Sequence, residues 1–257
     1  MDEIPILELR GVDKTFALNG ARIDALRGAT LTVRKGEFVC LIGASGCGKS
    51  TLLRIVAGFE QPSAGEALMW SKPISGPAPD RGMVFQDYGL FPWLTVRQNI
   101  AFGPSSRGEH RDRIAATVDR FVEMVGLARF ADAHPHQLSG GMKQRVAIAR
   151  VLANDADVVL MDEPFGALDA MTRERLQDDL LAIWRSTGLT VIFVTHSIVE
   201  AILLADRVVV LEPGPGRIAS EHAIALPRPR DVASPEFNAV RRELGALLHR
   251  HHARKAS

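Results

Sequence analysis

Glu37-Phe38-Val39-Cys40-Leu41-Ile42 runs directly into Gly43-Ala44-Ser45-Gly46-Cys47-Gly48-Lys49-Ser50-Thr51, and from Lys49 to about Ala57 the chain reads as a helix. The first piece is nearly all apolar, the pattern of a strand buried on both faces of a sheet. The second has two glycines flanking four residues, then Lys and Ser. Glycine lets successive backbone N–H groups point into one concavity and lets a phosphate come close to the main chain. Lys49 adds positive charge at the β- and γ-phosphates, Ser50 a hydroxyl for Mg2+, and the helix starting there the positive end of its dipole. A random chain of this length carries the pattern roughly one time in a hundred. Here it also has the strand before it and the helix after it that phosphate binding needs, so a chance glycine turn is the weaker reading.

Outward from this loop, the first forty residues read as short strands: Ile6 to Val12, Ala21 to Ile23, Leu26 to Val33 and Glu37 to Ile42, with Asn19-Gly20 and Lys35-Gly36 as breaks. Strands are expected at Glu66 to Trp70 and at Met83 to Phe85, the latter ending at Gln86. Apolar spacings of three and four predict helices at Val96 to Phe102, Asp112 to Val125 and Met142 to Ala153, a helical insertion over about 89–155. Then come strand Val158 to Met161, helix Ala170 to Ser186, strand Thr190 to Thr195, helix Ile198 to Ala205 and strand Arg207 to Leu211. That alternation implies a parallel sheet covered on both faces. Pro213 to Gly216 makes a turn, Arg217 to Ile224 a strand, and Pro235 to about Arg250 a helix after an extended Pro227 to Pro229 linker.

Two more segments carry chemistry. Val158-Val159-Leu160-Met161 is a buried strand whose end presents Asp162 and Glu163, the first placed for the Mg2+ shell and the second to polarise a water. Alone, the pair would be a plain strand-to-turn junction. In Leu138-Ser139-Gly140-Gly141-Met142-Lys143-Gln144-Arg145, Ser139 is a natural N-cap and the glycines leave main-chain N–H groups open at a helix start, an anion site. One chain thus carries two phosphate-binding helix starts.

In order and spacing these three motifs resemble the ATPase subunit of an ATP-binding cassette (ABC) transporter, over about Leu7 to Ala223. The resemblance implies a P-loop ATPase core of α/β class with a mainly parallel sheet, an N-terminal antiparallel β subdomain and a helical insertion. It divides the chain into an ATPase domain, 1–225, and a C-terminal extension, 226–257. It implies that Gly43, Ala44, Ser45, Gly46, Cys47, Gly48, Lys49, Ser50 and Thr51 bind ATP from one subunit, and Ser139, Gly140 and Gly141 from a second copy. Phe16 stands where the family stacks an aromatic ring on adenine, or else is a core ring. Gln86 matches the glutamine that senses Mg2+ and the attacking water, His196 the switch histidine at the γ-phosphate, and Asp169 in Gly166-Ala167-Leu168-Asp169 the loop that crosses to the partner. The catalytic set is then Glu163, His196 and Gln86, with Ser50, Gln86 and Asp162 for Mg2+. Ser197 where the family often has Asp, Met142 in place of Gln, and Phe16 in place of Tyr depart from its pattern without removing a catalytic group.

Composition sets the limits. In 257 residues, 46% hydrophobic and 24% charged, a formal net charge of +1 excludes a disordered chain and argues against a nucleic-acid binder. The apolar runs are strand-length, short of the ~20 residues a spanning helix needs. Met1 to Pro5 carries no secretory pattern, and two cysteines make no disulfide framework. The resemblance therefore implies separate integral membrane permease subunits, an external solute-binding protein acting indirectly, and a peripheral place on the cytoplasmic face of the inner membrane. Pro92-Trp93-Leu94-Thr95-Val96, Glu163 to Ala170, Pro215 to Ile218 and Leu226-Pro227-Arg228-Pro229-Arg230 are similar to importers of the nitrate, sulfonate and taurine group. The alternative is a soluble ABC ATPase acting on DNA or ribosomes, which usually carries a coiled coil or two cassettes. Phe91 and Trp93 are candidate docking anchors or core rings. Beside Lys49, Cys47 is expected to be unusually acidic, or else an inert loop thiol. His249, His251 and His252 read as solvated tail rather than metal ligands.

Overall fold

The computed structural model describes residues 4–18, 21–166 and 168–253. The Asn19-Gly20 break, Ala167 and residues 1–3 lie outside the described residues, as do the side chains of His249, His251 and His252. In chain order the elements are β1 (Leu7–Leu18), β2 (Ala21–Val33), β3 (Phe38–Gly43), α1 (Lys49–Ala57), β4 (Ala64–Met69), β5 (Lys72–Pro73), β6 (Arg81–Val84), α2 (Val96–Ser106) and α3 (Arg111–Met124). There follow α4 (Gly140–Leu152), β7 (Val158–Asp162), α5 (Ala170–Thr187), β8 (Thr190–Val194), α6 (Ile198–Leu204), β9 (Arg207–Glu212), β10 (Arg217–Ala223) and α7 (Pro235–Ala253). The chain forms two compact units, one of residues up to 77 with those from 190 onward, the other Ala78–Leu189.

In the first unit β3 is the centre. It pairs in parallel with β8 and β9, and β10 adds antiparallel to β9. All six β3 residues and all five of β8 are buried, and Phe38 and Phe193 meet with ring centroids 6.0 Å apart. Each such fully buried aliphatic or aromatic side chain contributes about 1.5–3 kcal/mol, which is why this sheet tolerates no polar residue at its middle.

A second, antiparallel sheet runs in the order β2-β1-β4-β5. Here two expected strands, Ala21 to Ile23 and Leu26 to Val33, are one continuous strand, β2. The intervening Asp24 is no break because it lies on the exposed face and is paired across the sheet. Its carboxylate accepts from Thr15 Oγ1 at 2.8 Å and from Arg27 at 2.5 Å. The Thr15 hydroxyl, helped by Arg27, holds the Asp24 carboxyl below its usual range. Likewise Trp70 does not end a strand. Trp70 and Ser71 take positive φ, 50° and 61°, and form the two-residue turn between β4 and β5.

In the second unit β6 and β7 pair in parallel, Arg81 to Val84 against Val158 to Met161. Gly82 lets α4 lie directly on β6, since a Cβ there would sit 2.0 Å from Val151 Cγ1. The strand stops at Val84, so Gln86 lies in the loop beyond it. Helix α2 continues past Phe102 to Ser106 despite Pro104, and Ser106 Oγ bonds the Phe102 carbonyl at 2.8 Å.

One ion pair ties the first unit's two sheets to each other. Arg207, at the start of β9, donates to both Glu37 oxygens at 2.7 and 2.9 Å, to the Thr32 carbonyl of β2 at 2.6 Å, and to Glu221 of β10. Burial opposes its charge, but Glu37 and Glu221 together outweigh it and raise its pKa. Arg207→Met should cost about 3 kcal/mol, because it strands the mostly buried Glu37 carboxylate; chemical denaturation checks this, and Arg207→Lys should recover part of the loss.

Candidate functional site

The phosphate loop lies at the C-terminal end of β3. There Gly43 pairs with Leu211, and a Cβ on Gly43 would sit 2.4 Å from the Leu211 carbonyl oxygen and 2.7 Å from Cys47 Sγ. The loop closes through Cys47 N–H to the Ala44 carbonyl at 3.2 Å. Gly48 caps α1 in the left-handed region, φ 88°, with no side chain bonded to the helix start. The first turn's N–H groups thus face outward with no side-chain cap, the feature that binds anions. Lys49 is only 6% exposed; its Nζ donates to the Gly43 and Ala44 carbonyls at 2.8 and 3.0 Å, which places the ammonium over the loop.

The loop's outer support is the turn at Pro213 to Gly216. A Cβ on Gly216 would be 2.2 Å from the Cys47 carbonyl oxygen, and Gly216 bonds Ala25 and Arg27 through its main chain. Sequence reading took this stretch as a turn and missed that it buttresses the loop. A glycine there was visible; what it touches was not.

The expected acidity of Cys47 is corrected by its surroundings. Its side chain is buried under the loop, and burial pushes the thiol up; Lys49 Nζ, 3.7 Å away, offsets only part of this.

His196, in the same unit, is exposed at the end of β8, with Thr195 N–H bonded to the Leu41 carbonyl of β3 at 3.2 Å. Phe16 is half-buried on β1, with Lys14 Nζ 4.8 Å from its ring centroid. The ring is not deep core, so a face remains that could stack on a flat partner.

The second unit gathers the remaining residues. Asp162 ends β7, and Glu163 follows in the left-handed region at φ 46°, a conformation that costs a non-glycine residue and that clusters at functional sites. A Cβ built on Gly166 would lie 4.0 Å from both Gln86 Nε2 and Glu163 Oε2, so the amide and the carboxylate neighbour the same glycine. Ser139 caps α4, its Oγ accepting from Met142 N–H at 3.3 Å, so one of the N–H groups expected to stay open is already used. A Cβ on Gly140 would meet Leu168 Cδ2 and Tyr88 Oη, each at 3.2 Å, and one on Gly141 would meet Thr172 Cγ2 at 2.8 Å. The helix start and the Leu168-Asp169 loop are thereby packed side by side. Asp169 caps α5 by accepting from Thr172 N–H at 3.0 Å, and that bond lowers its pKa.

Arg150, which sequence reading also missed, ties α4 to the segment after Gln86. It donates to the Gly89 carbonyl at 2.6 Å and to Tyr88 at 3.4 Å, and lies over the Phe91 ring at 5.4 Å. Burial lowers its pKa. The loop it holds is completed by Asn99, fully buried, whose amide bonds Phe91, Leu94 and Thr95. Phe91 packs between Trp93 and Phe102, at 5.6 and 4.4 Å, while Trp93 itself is 70% exposed.

The Ser50 hydroxyl in the first unit, and the Asp162 carboxylate and Gln86 amide oxygen in the second, are hard oxygen donors of the kind Mg2+ selects. Cys47 should be alkylated in the folded protein far more slowly than in denaturant, by at least about tenfold at pH 8. Mass spectrometry of iodoacetamide-treated protein checks this; equal rates would restore the acidic thiol.

The profile of the family described as ABC transporter matches residues 26–166. The chain is 46% identical over 250 residues to the taurine import ATP-binding protein TauB of Jannaschia sp. (strain CCS1), covering 94% of this chain and 93% of that one. It is 44% identical over 237 residues to the nitrate import ATP-binding protein NrtD of Synechocystis sp. (strain ATCC 27184 / PCC 6803 / Kazusa), covering 92% and 89%. Among solved structures, a dimeric post-hydrolysis state of the ATP-binding cassette MJ0796 bound to ADP and Pi matches with a TM-score of 0.74 and 33% identity, over 86% of this chain and 99% of that one. Phosphate loop, signature-type helix start and carboxylate-ended strand therefore have one explanation: the chain belongs to the ABC transporter family and is one of its ATP-binding, ATP-hydrolysing subunits.

Proposed function

We propose that this chain powers an importer of the nitrate, sulfonate and taurine group by closing on ATP as a head-to-tail dimer with a second copy. The observation that carries this is the helix start at Ser139 to Gly141, exposed at Ser139, half-buried at Gly140 and packed against Leu168 and Thr172, in a unit that also holds Glu163 and Gln86. It is a second phosphate-binding surface beside hydrolytic residues. A related cassette was solved as a dimer bound to ADP and Pi, which supports the same arrangement here. Residues 1–225 serve as the ATPase domain and 226–257 as its extension.

In this reading Gly43 to Thr51 cradle the phosphates of one ATP, Phe16 stacks on its base, and Ser139, Gly140, Gly141 and Asp169 of the other copy complete the site. Ser50, Asp162 and Gln86 would hold Mg2+, which when bound would neutralise negative charge on the phosphates. Glu163 accepts a hydrogen bond from a water and orients it; Gln86, near the same glycine, gives that water a second contact. His196 contacts the γ-phosphate. The γ-phosphate bridges both copies, so its loss removes the differential affinity that holds the dimer closed.

Among the described residues no helix is long and apolar enough to cross a membrane, so the permease is a separate polypeptide in this proposal and the chain binds it at the membrane's cytoplasmic face. The exposed Trp93, backed by Phe91 and Phe102, is the docking anchor. Taurine and nitrate enter through the relatives' names; the solute is recognised by other subunits, among them an external binding protein.

Glu163→Gln should bind ATP with unchanged affinity, lose turnover by at least about a hundredfold, and elute as a dimer in ATP on size-exclusion chromatography; near-normal turnover would remove Glu163 from its role. Replacing Phe91 and Trp93 together by Ala should abolish co-purification of a hydrophobic permease from solubilised membranes while ATP binding persists. Unchanged assembly would place the dock elsewhere, and recovery of ribosomes or nucleic acid from the unaltered protein would favour a soluble role.

A further inference from the structure

We propose that Arg228 and Arg230, in the Leu226-Pro227-Arg228-Pro229-Arg230 strap, are positioning residues for hydrolysis: they fix α6, and through it the loop that carries His196. This rests on the role given to His196 above.

Helix α6 has seven residues, too few to be stable alone. Like any helix it ends with carbonyls that have no partner inside it. Here the strap serves four in succession. Arg230 Nη1 donates to the Ile202, Leu203 and Ala205 carbonyls, the last two at 3.4 and 2.6 Å, and Arg228 Nη2 donates to the Leu204 carbonyl at 2.5 Å. Arg230 is only 9% exposed, and its other nitrogens bond Leu226 at 3.1 Å and Ile224 at 3.0 Å, so the guanidinium closes the strap on itself while gripping the helix. Two positive charges at a helix C-terminus also complement its dipole.

The grip is anchored on both sides. Arg228 Nη1 bonds Asp206 Oδ1 at 2.6 Å, while Asp206 Oδ2 accepts from Phe38 N–H, the first residue of the phosphate-loop strand, at 3.0 Å. Beyond the strap, Phe237 and Leu244 of α7 are each 1% exposed.

At the other end α6 is joined to the switch loop by side chains. Thr195 Oγ1 donates to the buried Glu200 at 2.6 Å and accepts from Ser197 N–H at 3.0 Å, and Ser197 Oγ accepts from Glu200 N–H at 3.3 Å. His196 is thus flanked by two residues bonded to the first turn of a short, rigid rod whose last turn is held by the strap. Pro227 and Pro229 stiffen that strap by fixing φ. A rod of two turns passes a displacement at one end to the other, so releasing the arginines frees the histidine.

The test is a mutant cycle between Arg230→Met and His196→Ala in the full-length protein, read by single-turnover hydrolysis of labelled ATP, with ATP affinity measured in parallel. The expected result is that Arg230→Met lowers turnover by about tenfold with ATP affinity unchanged within about twofold, and costs less than about twofold in the His196→Ala background. Arg230→Lys, which keeps the charge and some donors, should recover part of the loss. An equal further loss in the His196→Ala background would make the arginine merely structural, and unchanged turnover in Arg230→Met would overturn the proposal outright. If Arg230→Met does not yield folded protein, Arg228→Met enters the same cycle with the same expectations. Normal turnover in His196→Ala alone would instead sink the role of His196 in hydrolysis, and with it this proposal, a result separate from the other two.

Discussion

The absence of room for any side chain at the mouth of β3 is the constraint on which the nucleotide half of the molecule rests. Gly43 abuts the Leu211 carbonyl and the Cys47 sulfur, and Gly216 abuts the Cys47 carbonyl. Main chain packs on main chain, so the loop's N–H groups are fixed in direction before any ligand arrives. Such preorganisation is what makes a set of weak dipoles an effective anion site. The buried β3 and β8 supply the rigid floor, and Arg207 locks the antiparallel sheet to it through Glu37, Thr32 and Glu221.

The second unit solves a different problem, the placement of a few polar groups that the proposed mechanism uses together. Gln86 and Glu163 both neighbour Gly166, the helix start at Gly140 and Gly141 fits against Leu168 and Thr172, and Arg150 ties α4 to the loop that follows Gln86. The same loop carries the exposed Trp93, held by Asn99. The proposed docking surface and the proposed phosphate-binding helix start therefore share one bonded scaffold. Of the glycines at these contacts, Gly141 leaves no room for a methyl group, which would sit 2.8 Å from Thr172 Cγ2.

Much of the candidate site was legible in the sequence because its motifs are local. Gly43 to Thr51, Ser139 to Gly141 and Val158 to Glu163 are contiguous, and helix α1 begins and ends where the sequence places it, at Lys49 and Ala57. Local pattern failed where a long-range bond overrode it. Asp24 looked like the end of a strand until Thr15 was seen to pair with it, and Trp70 looked like a strand residue although it forms a turn. Cys47 looked acidic beside Lys49, yet burial, a property of the whole fold, decided its pKa.

By itself the sequence determined the α/β class, the phosphate loop, the signature-type helix start and the family, since runs of adjacent residues encode backbone geometry and hydrogen-bonding groups directly. Tertiary structure alone decided that Gly216 supports the loop, that Gln86 and Glu163 both come near Gly166, and that Arg228 and Arg230 cap a helix some twenty-five residues before them. These are contacts between segments far apart in the chain, and a side chain's partner across such a distance is set by packing of the intervening elements, which no local pattern records.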